Sequence, residues 1–181
     1  MSLLDRLFHR PDPKLCMTPL YKAVVERGRA VHWYVEGAVP DTLDGRFDMI
    51  AVVLSLVLMR LEEVDRHAES VWLTELFIDD MEGQLRQIGV GDVVVGKHVG
   101  RMVSALGGRL SAYRAALSDK EGSEGAGPDR AGLRDALARN LYRGEPVADA
   151  AIGDVETRLR ALHQALKATA PEMLIEGHLP T

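Results

Sequence analysis

The chain has 181 residues, enough for one domain with a substantial core. With 46% hydrophobic and 27% charged residues it reads as a globular, soluble protein and not a disordered one. Its net charge of −5 argues against a general nucleic-acid binder, which would carry a basic balance, so no DNA partner is expected.

The first ten residues, MSLLDRLFHR, are no signal peptide. Asp5 and Arg6 interrupt the apolar residues, and no small-residue cleavage site follows. Asp5 and the short length also speak against an organellar transit peptide. Leu3, Leu4, Leu7 and Phe8, flanked by Arg6, His9 and Arg10, form an amphipathic stretch and are candidates for membrane contact, with packing on the domain or fraying as the alternatives. The lone Cys16 allows no intrachain disulfide and lies in no metal or redox motif, so an inert structural thiol is expected.

Thr18 followed by Pro19 starts a predicted helix that runs to about Val35. VPDTLDG (Val39–Gly45) is a turn-rich connection in which Asp41 or Asp44 is placed to cap the next helix. That helix covers about Gly45–Val64. Its stretch Met49–Met59 is apolar except for Ser55, and at 11 residues it falls short of the roughly 20 needed to cross a bilayer. Being apolar around most of its circumference, it reads as a buried central helix. A third helix, about Glu69–Ile88, aligns Leu73, Phe77, Met81, Leu85 and Ile88 on one stripe.

Gly91-x4-Gly96-Lys97 resembles a phosphate-binding loop, but its surroundings exclude one. That loop needs a preceding strand, a helix starting at the Lys, and a Ser or Thr after it. Here a helix precedes, Lys97 lies inside the next helix, and His98 stands where the hydroxyl belongs. Asp92 occupies the cap position of that next helix, and Gly89 and Gly91 suit a tight turn. Val95, Val99, Met102, Leu106, Leu110, Tyr113 and Leu117 form its stripe, with Gly107-Gly108 a place for a bend or close helix approach.

SDKEGSEGAGPD (Ser118–Asp129) is polar and Gly-rich and reads as a flexible loop. A short helix about Arg130–Tyr142 follows, then one from about Val147 to Thr169 carrying Ile152, Val155, Leu159, Leu162 and Leu166. Pro171 ends or kinks it. The expected fold is all-α, a single-domain multi-helix bundle with a buried apolar central helix. Residues 1–17 form an N-terminal amphipathic segment. Residues 18–181 form the helical domain, with a core of about 18–118, a loop at 118–129 and C-terminal helices at 130–170.

No constellation carries catalysis. The six histidines make no His-Glu-x-x-His pattern, Glu75 and Asp79 lack Glu-x-x-His partners, and no serine stands in Gly-x-Ser-x-Gly. The residues favour binding over catalysis, with no metal or cofactor expected. Candidate contact residues for a client or partner are Asp41 and Arg46 beside the turn, the acids Asp79, Asp80 and Glu82, and the cations Lys97, Arg101 and Arg109. Each has a structural alternative: Arg46 paired with an acid of the third helix, the acids as a solvated face, the cations paired with those acids. Tyr21, Trp33 and Tyr34 are candidate groove aromatics or core.

Four blocks in order, LYKAVVERGR (Leu20–Arg29), VPDTLDGRFDM (Val39–Met49), LFIDDMEGQLRQIGVGD (Leu76–Asp92) and GRLSAYRAAL (Gly108–Leu117), resemble the ubiquinol–cytochrome c chaperone family. The resemblance implies an all-helical, non-enzymatic assembly chaperone of the respiratory cytochrome bc complex. It implies newly made cytochrome b as the client, with a small co-chaperone or the ribosome as further partners. With no transit peptide, it implies a bacterial protein at the cytoplasmic side of the inner membrane. A second reading is a helical carrier of a lipid, quinone or haem, for which His32, His98 or His163 would serve as an axial ligand.

Overall fold

The computed structural model describes residues 12–87, 89, 92–117 and 131–180, without the side chains of 92–94, 98 and 131. Leu3, Leu4, Leu7 and Phe8, the 118–129 loop, and the capping and ligand roles suggested for Asp92 and His98 lie outside the described residues.

The apolar run at Met49–Met59 dictates the centre of the fold. It forms the middle of a helix, α3 (Leu43–Glu63), in which every residue from Asp48 to Met59 is buried. Such a helix must be wrapped. Its neighbours are α1 (Thr18–Gly28), α4 (His67–Gln87), α5 (Asp92–Leu117) and α7 (Asp149–Ala168). Around them lie a 3-10 turn at Pro13–Met17, a short α2 (His32–Val35), α6 (Ala131–Asn140) and a terminal α8 (Pro171–Ile175). No strand occurs among the described residues, so the protein is all-α. Truncating a buried leucine such as Leu54 or Leu61 costs about 2–5 kcal/mol, and a helix cap about 1. The wrap around α3 therefore outweighs any single helix end.

The stripes read from the sequence meet in this core. Leu73, Phe77 and Met81 of α4, Val95, Leu106, Tyr113 and Leu117 of α5, and Ile152, Val155, Leu159, Leu162 and Leu166 of α7 are all buried. The one polar side chain in the apolar run, Ser55, donates its hydroxyl to the Ala51 carbonyl at 2.7 Å, so it carries no unpaired group into the core.

The first helix departs from expectation. It does not run from Thr18 to Val35 but stops at Gly28 and restarts at His32. Gly28 lies against α3, where a Cβ would sit 2.9 Å from the Ile50 Cα. Two carbonyls at the helix end also accept from aromatic side chains beyond the break. Trp33 Nε1 donates to Arg27 O, and Tyr34 Oη donates to Gly28 O, both at 2.7 Å. Nor does Thr18 cap this helix. It is already helical, continuing from the 3-10 turn, whose own cap is Asp12 accepting from the Lys14 amide. Met17 of that turn is buried, while Cys16 beside it is exposed rather than set in the structure as expected.

Gly89 has φ +84° and makes the turn between α4 and α5. Gly107 and Gly108 do not mark a close helix approach among the described residues, none of which lies within 4 Å of a Cβ added at either.

Candidate functional site

Two of the hydrophobic stripes run out of the core and into an open groove. Met81 and Leu85 of α4 and Met102 of α5 continue the buried rows, and Leu43 and Phe47 of α3 complete an apolar floor. Gln84, Ala105, Arg101, Arg109, Asp44 and Arg143 complete the lining. The volume is about 470 Å³, within the range of ordinary binding pockets.

One side of the groove is an ion-pair junction built on Asp48. This carboxylate is wholly buried. Its Oδ1 accepts from Arg109 Nη2 and its Oδ2 from Arg143 Nε, each at 2.6 Å. Arg143 Nη1 also donates to Asp44 Oδ2 at 2.8 Å. Both oxygens of this buried carboxylate are thus bonded to guanidinium groups, the pairing that a buried acid needs. The same contact, with Asp48 first and Asp44 behind it, raises the pKa of Arg143. Arg143 itself has φ +56°, a left-handed backbone uncommon outside glycine, and its fork is fixed by two carboxylates. The Arg109 guanidinium lies 5.5 Å from the centre of the Phe47 ring, which stacks on Phe77 at 5.5 Å. Arg109 Nη1 is buried and has no hydrogen-bond partner among the described residues. Arg101 has no carboxylate partner among the described residues.

The family model for the ubiquinol-cytochrome C chaperone matches residues 36–180. This protein belongs to that family. The match takes in the C-terminal helices, beyond the blocks that carry the resemblance in the sequence. The chaperone is similar in structure to the Cbp3 homolog from Brucella abortus, with a TM-score of 0.75 and 24% identity, over 98% of this chain and 95% of that one. At that identity the likeness shows a shared fold. No curated protein matches the sequence significantly.

The chaperone's structure scatters the residues singled out from its sequence. Asp41 and Arg46 pair with each other at 2.6 Å on the surface, so Arg46 does not reach an acid of α4. Each shifts the other: the Arg46 hydrogen bond lowers the Asp41 pKa, and Asp41 raises that of Arg46. Neither Asp41 nor Asp44 caps α3; Thr42 does, its hydroxyl accepting from the Gly45 amide at 3.1 Å. Asp79 pairs with Lys14 at 2.7 Å and raises its pKa. Asp80 accepts from Tyr21 Oη at 2.6 Å and from Gln84, and Glu82 pairs with Arg86. None of these acids pairs with Lys97, Arg101 or Arg109. Lys97 is exposed and lies away from the groove lining, whereas Arg101 and Arg109 share it.

Tyr21, Trp33 and Tyr34 do not line the groove. Trp33 is 1% exposed, and all three spend their polar atoms on bonds within the fold. His163 is buried in α7, and His32 lies apart from the groove, its pKa lowered by burial and by Arg158. The groups that organise the groove, Asp48, Arg143, Phe47 and Met81, were not picked as site residues. One signal was available for Asp48: an acid abutting an 11-residue apolar run must find a cationic partner. The run does not say which arginine supplies it.

Proposed function

We propose that this chaperone binds newly synthesised cytochrome b and holds it during assembly of the ubiquinol–cytochrome c reductase, using the groove between α3, α4 and α5. Family membership supports the assembly role, and the apolar floor of the groove is the observation that carries the binding site. A membrane protein not yet packed exposes apolar helix faces, and covering one such face prevents wrong association. The floor has two methionines, whose flexible side chains adapt to varied apolar surfaces. The work is holding and releasing, with no covalent step. No helix of the described residues is long and apolar enough to cross a membrane. In this reading the protein works at the cytoplasmic face of a bacterial inner membrane, with Leu3, Leu4, Leu7 and Phe8 resting on the bilayer.

The test is recovery of the tagged protein from its own cells with mass spectrometry, beside a deletion strain. Cytochrome b is expected in the recovered material and is expected to be lost from the deletion strain while other respiratory complexes persist. Normal cytochrome b levels in that strain overturn the reading.

A further inference from the structure

The groove has an electrostatic sign that an apolar client surface does not explain. Three guanidinium groups, of Arg101, Arg109 and Arg143, line it, against the carboxylates of Asp44 and Asp48. Asp48 is used on both oxygens, and Asp44 is taken by Arg143. Among the described residues one positive charge is left over. It is centred on Arg101, which is exposed, lines the groove and has no acid among the described residues.

We propose that the groove recognises a carboxylate carried on an apolar helical segment of the client, placing the acid against Arg101. The proposal rests on the chaperone reading above and specifies what the client must carry. The apolar face of the segment lies on Leu43, Phe47, Met81 and Met102. From Arg101 to Arg109 the wall formed by α5 is about 12 Å long, eight residues at about 1.5 Å each, or two helical turns. An open trough of that length with side chains spaced by helical turns suits a helix face. Guanidinium groups favour a carboxylate over other polar groups, because their planar fork matches its two oxygens. A client helix would thus be chosen by apolar surface and acid together, and helices without the acid would be held less firmly.

The experiment uses the full chain and fluorescent peptide tiles of the same cell's cytochrome b, each about 20 residues, the length of one membrane-spanning helix. Binding is read by anisotropy. Tiles with an Asp or Glu are compared with the same tiles carrying Asn or Gln, against wild type and Arg101→Ala. Arg101 is exposed, so its removal leaves the fold intact, which the unfolding midpoint checks. At least one acidic tile is expected to bind, and to weaken about tenfold or more on amidation. Arg101→Ala is expected to weaken that tile and to leave the amidated tile unchanged, the signature of a direct coupling. Equal binding of acidic and amidated tiles overturns the carboxylate proposal and leaves the chaperone reading standing. No tile binding, with cytochrome b still recovered from cells, overturns the groove as the docking site. Oleate binding that depends on Arg101, with no tile bound, overturns it in favour of a fatty-acid carrier. Absence of cytochrome b from the cell recovery removes the reading beneath it.

Discussion

Asp48 and Arg143 stand 95 residues apart in the chain and meet at 2.6 Å, joining the central helix to the turn that follows α6. Arg109 closes the junction from the other side at 2.6 Å. The wholly buried Asp48 thus fastens three separate parts of the chain along one wall of the groove. Asp48→Ala leaves Arg109, 11% exposed, without its counter-charge. Breaking such a pair by removing one partner costs about 3–5 kcal/mol, and urea unfolding is expected to show a loss in that range. Arg143 is 48% exposed, so Arg143→Ala is expected to cost about 1 kcal/mol or less, its charge being screened by water. Equal losses for the two variants contradict this division.

The entry into α3 gives a second prediction. A Cβ added at Gly45 would lie 2.0 Å from the Pro40 carbonyl oxygen, which is backbone and cannot swing away. Gly45→Ala is expected to cost about 3 kcal/mol, at the upper end of overpacking. Thr42→Ala removes only the cap bond to the Gly45 amide and is expected to cost about 1 kcal/mol. The order of the two midpoints in thermal unfolding checks whether the turn is held by close approach or by capping.

All four tyrosines resist ionisation in the folded state. Burial raises Tyr142 to about 12, and burial also raises Tyr21, Tyr34 and Tyr113, with the Asp80 hydrogen bond adding to the effect at Tyr21. The unfolded chain ionises near pH 10. Because the folded values are raised, this contribution to stability is fully present below about pH 10 and is lost as pH rises through the folded values. Tyrosinate absorbance is expected to appear together with loss of helical circular dichroism. Tyrosinate at pH 10 in a fully helical protein contradicts it.

The apolar run around Leu54 and the rows on α4, α5 and α7 were legible because burial on a helix leaves a periodic record. The break after Gly28 was not, because no proline marks it. It is produced by Trp33 and Tyr34 reaching back to the helix end and by Gly28 meeting Ile50, all of which are tertiary. The groove was half legible for the same reason. Met81, Leu85 and Met102 carry the helical period, and periodicity does not tell where a stripe leaves the core. Arg101 and Arg109 stood out as cations on α5, but local charge suggested Asp79, Asp80 and Glu82 as partners. Those acids instead find Lys14, Tyr21 and Arg86. The partner of Arg109 was Asp48, 61 residues earlier, and spacing along one helix carries no information about it.

Two surfaces now compete for the client, and one pair of variants separates them. Asp41 and Arg46 form an exposed pair with each other. Asp41→Ala with Arg46→Ala is expected to leave both stability and cytochrome b recovery unchanged, since solvent replaces both partners. Leu43 is 57% exposed and lines the groove from the first turn of α3. Leu43→Glu places a carboxylate near the helix N-terminus, where it is tolerated or mildly stabilising. The same carboxylate removes apolar floor and supplies the groove's cations with an acid from within. Recovery of cytochrome b is therefore expected to fall sharply in Leu43→Glu at unchanged thermal midpoint. Retained recovery in Leu43→Glu, with loss in the Asp41 and Arg46 double variant, moves the client from the groove to the turn before α3.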